Sequence, residues 1–363
     1  MLKIIHAADL HLDSAFSALS VEKARQRRRE GRFLVERLAE LARREEADAL
    51  LLSGDLFDGR EVYPETLECL RETFASLNAR VFIAPGNHDP FRGGGAYERV
   101  KWSKNVHVFC GNAVEAVEWE EKNAVIYGAA FTSAERLDHP LADFSAPKDE
   151  RLHVMVLHGE VTGSESVYGV IRREEIAASG LDYLALGHIH QCSDLQKAGE
   201  THWAYPGCPE GRGFDELGEK GVLVGEIGKG KAELRFVPLA RRKYEILTVD
   251  VTDCEATEAV RQALPASAAA DIVRVRLVGE TDERGVDTQR LQERLAELCY
   301  ALEIRDETTL RVDMTENAGE DTLRGLFLRR MRDKIAAATT EEEKRIAEDA
   351  MRMGLAALSG REL

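Results

Sequence analysis

Five short polar clusters, widely spaced along the chain, constrain the fold more than any other feature of the sequence. Each cluster follows an apolar run, and together they are rich in Asp, His and Asn: Asp9-Leu10-His11, Gly54-Asp55 running to Asp58, Gly86-Asn87-His88-Asp89, Leu157-His158-Gly159 and Gly187-His188-Ile189-His190. Short apolar runs bounded by glycine, with helical patterns between them, predict the strands of an α/β sheet. Ligands of open α/β sheets bind beyond the carboxyl ends of the strands, so the five clusters can converge on one site.

Composition places the chain among ordinary globular proteins. It argues against a protein whose whole surface binds nucleic acid and against a membrane-spanning protein. The net charge of −16 argues against a surface that binds nucleic acid everywhere, although a local basic patch stays open. No apolar stretch approaches the ~18 residues of a membrane helix, and the first strand begins at once, without a leader pattern. The six cysteines are scattered without a CxxC pair, which favours reduced thiols and a cytoplasmic location.

A chain of 363 residues suits two domains and a short tail. Alternating strands and helices over residues 1–240 predict the first domain, closed by a β-hairpin near its end. Residues 244–318 predict a small α+β capping domain with a βαβαβ order, including a helix over Thr288–Leu302 and a strand around Thr309–Val312. This domain has none of the polar clusters, so we expect it to shape the substrate site.

Residues 320–360 predict a pair of amphipathic helices. Thr340 and Glu343 have the spacing of a capping box at the start of the second helix. The apolar stripes of both helices need a surface to pack against. That surface is either the body of this protein or the helices of a partner, which makes the pair a candidate partner-binding segment.

Two further segments lie near the clusters in the sequence. A helix over residues 21–46 begins with basic side chains, for which a solvated face is favoured over contact with a phosphate backbone; these are Lys23, Arg25, Arg27, Arg28, Arg29 and Arg32. Residues 91–97 form a glycine-rich loop after Asp89 and Pro90. Loops at the rim of a site often determine which substrate binds.

The donors in the clusters predict a metal centre. Seven residues supply imidazole, carboxylate and amide groups without a thiolate: Asp9, His11, Asp55, Asn87, His158, His188 and His190. Mixed nitrogen and oxygen donors suit Mn²⁺, Fe²⁺ or Zn²⁺. This number is too high for one ion, whereas one shared carboxylate would give each of two ions four protein ligands. Two ions about 3.5–4 Å apart clamp a phosphoryl group and activate a water molecule.

His88 and Asp89 are predicted as catalytic residues that bind no metal. His88 follows the ligand Asn87 directly, so its side chain points elsewhere and can act as an acid. Asp89 could hold the tautomer of His88, as carboxylates do for imidazoles around metals. Asp58 and Asp13 are more ambiguous, because a turn or a cap explains each of them equally well.

All five clusters, in order, resemble the signature of the calcineurin-like metallophosphoesterases. The Asp-Leu-His-Leu-Asp opening, the Gly-Asp-Leu-Phe-Asp block, and Tyr205-Pro206-Gly207 followed by Phe214-Asp215-Glu216 resemble more narrowly the SbcD-type DNA nuclease family and its YhaO-like branch. The resemblance covers about the first 240 residues strongly and the rest in layout only. Departures include Cys208, where relatives often have Ser.

The resemblance implies a four-layer sandwich of two β-sheets flanked by helices, followed by a capping domain. It places Asp9, His11, Asp55 and His190 on one ion and Asp55, Asn87, His158 and His188 on the other, with His88 as the catalytic histidine. It also implies Mn²⁺, hydrolysis of DNA phosphodiester bonds by an exonuclease or endonuclease in DNA repair, and an SbcC-like coiled-coil ATPase as partner. A homodimer stays open.

Two other functions are compatible with the same residues. A small-molecule phosphodiesterase or phosphatase would use the same two ions, although Asp89 after His88 differs from the Glu usual in protein phosphatases. A scaffold with a decayed metal site is the third possibility. The complete ligand set argues against it, because decay removes ligands.

Overall fold

The computed structural model describes residues 1–59, 61–282, 285–311 and 321–358. The chain divides into two compact units, Met1–Lys243 and Tyr244–Leu363. Parts of the predicted capping domain and helical tail, at 283–284, 312–320 and 359–360, lie outside the described residues.

The first unit alternates strands and helices. In chain order its elements are β1 (Leu2–Ala7), α1 (Val21–Arg44), β2 (Ala49–Leu52), α2 (Pro64–Ala75), β3 (Arg80–Ile83), α3 (Ala96–Arg99), β4 (Val106–Val108), β5 (Glu115–Trp119), a 3-10 turn (Glu120–Lys122), β6 (Ala124–Gly128), β7 (Leu152–His158), β8 (Glu160–Val161), β9 (Val170–Ile171), α4 (Arg173–Ala178), β10 (Tyr183–Gly187), β11 (Gln196–Ala198), β12 (Thr201–Ala204), β13 (Gly221–Gly228) and β14 (Lys231–Pro238). The pair β13–β14 is the predicted hairpin, with Gly228 opposite Lys231.

Two six-stranded sheets form the body of this unit. The first has the order β14-β13-β1-β2-β3-β4, and the second has the order β11-β12-β10-β7-β6-β5. Strands β1 to β4 run parallel, as do β6, β7, β10 and β12. Parallel strands in the middle of each sheet place their carboxyl ends at one edge of that sheet.

Alternating side chains of these strands build three separate cores. On β1, Ile5 packs towards α1 and α2, whereas Ile4 belongs to the cluster between the two sheets, together with Tyr183. A third cluster joins the outer face of the second sheet to Ile176 of α4. The layers therefore run helix, sheet, sheet, helix, and the predicted four-layer α/β sandwich is confirmed.

Helix α1 shows how the sequence produces the outer layer. Ser20 caps the helix, its hydroxyl accepting from the backbone N–H of Lys23 at 3.4 Å. Leu34, Leu38 and Leu41 follow at helical spacing and are all at most 2% exposed.

The second unit contains β15 (Tyr244–Asp250), α5 (Ala256–Ala263), a 3-10 turn (Ala268–Ala270), β16 (Ile272–Val278), β17 (Glu280–Thr281), α6 (Thr288–Leu295), a 3-10 turn (Ala296–Leu298), β18 (Ala301–Asp306), β19 (Thr309–Leu310), α7 (Leu323–Ala337) and α8 (Glu341–Leu358). Strands β15, β16 and β18 form a parallel sheet, and β17 pairs with β19.

One sequence expectation for this unit was wrong, because the predicted helix included residues that form a strand. The helix predicted over 288–302 ends at Leu295, and a strand, Ala301–Asp306, supplies the third member of the sheet. Leu298 and Leu302 are four residues apart, as on one face of a helix, so the sequence pattern predicted a helix where the strand begins. The strand expected around 309–312 is the two-residue β19, and Val312 lies outside the described residues.

Helices α7 and α8 pack on each other and on the small sheet. Leu328 and Met331 of α7 meet Met351 and Leu355 of α8, and Leu310 of β19 joins this cluster. The predicted capping box at Thr340 is present, since Thr340 Oγ1 accepts from Glu343 N at 3.1 Å. The tail therefore buries one stripe within the second unit. Among the described residues, no helix is long and apolar enough to span a bilayer.

Candidate metal centre

The five clusters lie where parallel strands end. Asp9 and His11 follow β1, Asp55 follows β2 and Asn87 follows β3, so the first sheet supplies four of the seven predicted ligands. The second sheet supplies the others, since His158 is the last residue of β7, and His188 and His190 follow β10. Strand ends therefore deliver all seven residues, as their apolar lead-in sequences predicted.

Four of these residues have a left-handed backbone. The φ angles are 54° at Asp9, 43° at His11, 50° at Asp55 and 107° at His188. Such conformations cost of order 1–3 kcal/mol each in residues other than glycine. Gly54, with φ of 88°, has no room for a side chain, because a Cβ there would lie 2.4 Å from His158 Nδ1. The rest of the fold must hold these turns in place.

The side chains of one predicted ligand group meet in space. His11 Nε2 lies 3.2 Å from His190 Nε2 and 3.6 Å from Asp55 Oδ2. Asp9 Oδ1 lies 3.7 Å from His190 Nε2. The structure thus brings together the four donors that the resemblance assigned to the first ion.

The second group of donors also meets at Asp55. His158 Nε2 is 2.9 Å from Asn87 Oδ1 and 3.5 Å from Asp55 Oδ2. The ring centroid of His188 is 5.3 Å from that of His158, and the backbone N–H of His188 donates to Asp9. The same oxygen of Asp55 therefore lies near both groups, which is the arrangement of a bridging carboxylate.

The protonation of the imidazoles indicates what these donors are built to hold. The Nδ1 atoms of His11, His190 and His158 lie within hydrogen-bond distance of the acceptors Asp58, Glu216 and the carbonyl of Ser53, so we assign the proton of each ring to Nδ1. Burial lowers the pKa of His11 to about 4 and that of His158 to about 3, so both rings are neutral. Their unprotonated Nε2 atoms then face other acceptors: His11 Nε2 faces His190 Nε2, and His158 Nε2 faces Asn87 Oδ1. A cation between such atoms would bind their lone pairs. The donor set fits two divalent ions.

Buried carboxylates add to this. Asp9 is fully buried, and burial followed by the charge of Asp55 raises its pKa well above the ordinary value. Without a cation, the ionised carboxylates of Asp9 and Asp55 would repel each other in a site that excludes water. The site is therefore unfavourable for the fold when it is empty of positive charge.

This cost predicts the behaviour of Asp9→Asn in chelator. A raised folded-state pKa means that stability is lost as pH rises above the unfolded value of 3.8. We expect the variant to be more stable than the natural chain by about 1–3 kcal/mol at pH 7, with the difference shrinking towards pH 4. Saturating Mn²⁺, at 100 times Kd, should add about 2.7 kcal/mol to the natural chain and much less to the variant.

Urea unfolding across this pH range measures both effects. Asp143→Asn changes an exposed carboxylate and serves as the control with no expected pH trend. Equal stability of Asp9→Asn and the natural chain at every pH would contradict the free-energy cost that we assign to burying this carboxylate.

His88 lies at the rim of the centre, with its side chain 45% exposed. Its Nδ1 is 3.8 Å from Asp58 Oδ1, and its ring stands edge-on to His11 with centroids 4.8 Å apart. The sequence paired His88 with Asp89, but the structure places Asp58 beside it. His88 is thus open to a substrate that reaches the centre.

The hydrogen bonds of Asp89 point away from His88. Its carboxylate accepts from the backbone N–H groups of Leu56, Phe57 and Gly86 and from the Tyr97 hydroxyl. Asp89 is 6% exposed. It therefore ties the turn after β2 to the turn after β3, which positions Asp55 and Asn87, and a direct catalytic role for it stays a prediction.

Sequence reasoning missed three residues around the centre. Asp58 had been ambiguous, and Glu216 and Arg212 were not assigned any chemistry. Burial alone would raise the pKa of Glu216, but the hydrogen bond from His190 and the charge of Arg212 lower it to about 2. Glu216 and His190 are 26 residues apart in the sequence. The contact between them, which indicates the role of Glu216, is visible only in the folded structure.

One member of the basic cluster of α1, Arg27, has a structural role. Arg27 is 1% exposed and donates to Glu30, to Glu210 and to the carbonyl of Gly211. Arg242 completes this buried network through Glu30. Arg27 therefore belongs neither to a solvated face nor to a nucleic-acid contact, whereas Arg25 is exposed as expected.

Comparisons with known proteins agree with this geometry. The family model described as calcineurin-like phosphoesterase matches residues 2–192, which contain all seven donors and His88. An uncharacterised metallophosphoesterase, YhaO of Bacillus subtilis, is 32% identical over 272 residues, which are 72% of this chain and 66% of the relative.

Two further relatives have lower identity to this chain. The DNA double-strand break repair protein Mre11 of Methanopyrus kandleri is 26% identical over 283 residues, 69% of this chain and 60% of that protein. The SbcD component of the nuclease SbcCD from Staphylococcus epidermidis is 21% identical over 290 residues, 69% of this chain and 74% of that protein. The chain spans less than two thirds of the length of YhaO and of Mre11.

Proposed function

Because this chain belongs to the calcineurin-like phosphoesterase family, we propose that it is a two-metal phosphodiesterase that cuts DNA. At the coarser level the chain is a phosphoesterase, a hydrolase of a family that uses two divalent ions. The observation that carries the proposal is Asp55, whose Oδ2 lies 3.6 Å from His11 Nε2 and 3.5 Å from His158 Nε2. One carboxylate thus serves both halves of the site.

The residues of the chain divide the chemistry among them. Asp9, His11, Asp55 and His190 would hold one ion, and Asp55, Asn87, His158 and His188 the other. Bound at these residues, the two ions would supply Lewis-acid polarisation of the phosphoryl group and activation of the attacking water. His88, exposed beside them, donates a proton to the leaving oxygen or stabilises the charge that develops there. The carboxylate of Asp58 orients His11 through a hydrogen bond of 2.9 Å and lies 3.8 Å from the ring of His88.

Mn²⁺ is the proposed ion. The donors are imidazole nitrogens, carboxylate oxygens and one amide oxygen, a set without a thiolate that suits Mn²⁺, Fe²⁺ or Zn²⁺. The resemblance to the SbcD-type nucleases favours Mn²⁺ among these ions.

DNA is the proposed substrate, with a role in DNA repair and with exonuclease cleavage as the expected mode. By their names, Mre11 acts in DNA repair and SbcCD is a nuclease. The alignment to each of these relatives covers 69% of this chain. The alternative is a small phosphodiester, which the net charge of −16 favours because it disfavours a polyanion.

A cleavage assay separates the two substrates. We expect the full chain with Mn²⁺ to degrade linear duplex DNA and to hydrolyse bis-p-nitrophenyl phosphate, with both activities lost in chelator. The matched control is Asp13→Asn, which changes a nearby carboxylate that bonds Tyr63 and Thr66 instead of the seven donors. Hydrolysis of the small ester without any cleavage of DNA, even with a coiled-coil ATPase partner added, would establish the alternative.

The helices α7 and α8 are the proposed partner-binding segment, with an SbcC-like coiled-coil ATPase as the partner. Five large apolar side chains remain exposed on them by 42–71%: Leu323, Leu326, Ile346, Met353 and Leu358. The SbcD relative is by its name one part of a nuclease assembly. Exposed apolar residues on amphipathic helices are the usual contacts of a partner helix.

Replacing Leu323 and Leu326 by Glu should abolish partner binding while leaving hydrolysis of the small ester unchanged. Both side chains are exposed, so the buried cluster around Leu328 and Met331 is preserved. Pull-down with an SbcC-like ATPase from the same organism measures the loss. Leu137→Glu, at a 73% exposed leucine of the first unit, is the control, and unaltered binding by the double variant would exclude this surface.

A cytoplasmic location remains our proposal. All six cysteines are unpaired, and Cys110 and Cys254 are exposed. Exposed free thiols are typical of reducing compartments.

A further inference from the structure

The two histidines that face each other in the centre are each backed by a carboxylate. His11 Nδ1 lies 2.9 Å from Asp58 Oδ1, and His190 Nδ1 lies 2.6 Å from Glu216 Oε1. Such a carboxylate fixes the tautomer and the angle of the ring and makes Nε2 a better ligand. Both rings of this pair belong to the same ion site.

A single guanidinium joins the two carboxylates. Arg212 Nη1 lies 2.8 Å from Asp58 Oδ1, and Arg212 Nη2 lies 3.1 Å from Glu216 Oε1. The backbone N–H of Arg212 also donates to Glu216 Oε2 at 2.7 Å. Glu216 is 3% exposed, so this interaction operates away from bulk water, where charged hydrogen bonds are strong.

The loop that carries Arg212 is itself fixed. The carbonyl of Gly211 accepts from Arg27 Nη2 at 2.7 Å, and the neighbouring Glu210 accepts from Arg27 Nη1 at 2.7 Å. Arg27 is buried on α1. Position 212 is thus held from the helix layer, and its side chain reaches from there into the centre.

We propose that Arg212 is a positioning residue, which sets both imidazoles of one metal site at once by holding Asp58 and Glu216 in place. This inference rests on the proposed two-metal site. It assigns to Arg212 the pre-organisation of the ion held by Asp9, His11, Asp55 and His190, and no direct role at the other ion.

If Arg212 acted only through its charge, its replacement would change metal affinity in the opposite direction. A positive charge near the centre repels cations, so its removal alone would tighten metal binding. Positioning depends instead on the planar fork, which can contact two carboxylates in fixed geometry, as a lysine cannot. Lysine and glutamine at this position therefore separate the two effects, because lysine keeps the charge without the fork.

The test is Mn²⁺ titration of the full chain by calorimetry, with electron paramagnetic resonance to distinguish coupled pairs from single ions. We expect two ions in the natural chain. In both R212K and R212Q we expect one ion to bind about 10–100-fold more weakly and the other to bind nearly as before. R37Q is the matched control, because Arg37 pairs with Glu210 in the same loop.

Wild-type affinity for both ions in R212K and R212Q would overturn the inference. So would wild-type affinity in R212K together with tighter binding in R212Q, which is the electrostatic result. Should R212Q fail to fold, R212K alone decides between weakened and unchanged binding. A natural chain that binds fewer than two ions would instead refute the proposed function itself.

Discussion

Asp55→Asn should remove nearly all activity, with a larger loss than any single histidine replacement. The carboxylate oxygen Oδ2 lies within 3.6 Å of a histidine on each side, and an amide nitrogen or neutral oxygen cannot bridge two cations. We expect a loss of more than roughly 10⁴-fold, which exceeds the upper end of what a general acid contributes. Metal analysis should find both ions depleted.

The fold should tolerate this change. Asn adopts the left-handed backbone conformation more readily than most residues, so φ of 50° at this position is compatible with it. Its amide oxygen can still accept from the backbone N–H of His88, as Asp55 Oδ1 does at 2.9 Å. His158→Ala, which removes a ligand of one ion only, is the comparison. Two ions per chain in Asp55→Asn would refute the bridging role.

His88→Ala should lower the turnover of DNA by roughly 10²–10⁴-fold, the usual contribution of a general acid. Metal content should stay at two ions per chain, because His88 is exposed at the rim and its carboxylate neighbour is Asp58, at 3.8 Å. Single-turnover cleavage and metal analysis of the same preparation measure both quantities. His107→Ala removes another partly exposed histidine, located beside Glu115, and should have no effect.

The leaving group distinguishes a proton donor from an electrostatic contact. p-Nitrophenolate departs without a proton, whereas the alkoxide of a deoxyribose needs one. His88→Ala should therefore impair hydrolysis of bis-p-nitrophenyl phosphate much less than cleavage of DNA. Equal losses with both substrates would show that His88 supports the charge of the transition state and is not the acid.

The sequence was most informative where local pattern and chemistry coincide. The apolar run Ala49–Leu52 followed by Gly54 and Asp55 indicates both a buried strand and a ligand at its end, and the structure has the strand, with the Asp55 carboxylate beside His11. The order of such blocks also carried the family resemblance, and that resemblance implied the four-layer sandwich. In the second unit the same reasoning misplaced a strand, because Leu298 and Leu302 satisfy helical spacing and the strand's real partners are distant in sequence.

The contacts around the ligands could not be predicted in this way. Arg212 is separated from Asp58 by 154 residues. The neighbouring block Phe214-Asp215-Glu216 contributed to the family resemblance, but it did not indicate which residues Arg212 contacts. Asp58 looked like part of a turn because Gly59 follows it. Its role depends on the directions of the His11 and His88 rings, which only tertiary packing fixes.

The left-handed turns at Asp9, His11, Asp55 and His188 have a consequence for anyone who engineers this protein. Glycine or asparagine would relieve the backbone at each of these positions, and at the two aspartates would also remove a buried charge. A screen for heat resistance alone would therefore reward the replacements that silence the enzyme. Durable variants should be sought only under a selection that also demands turnover.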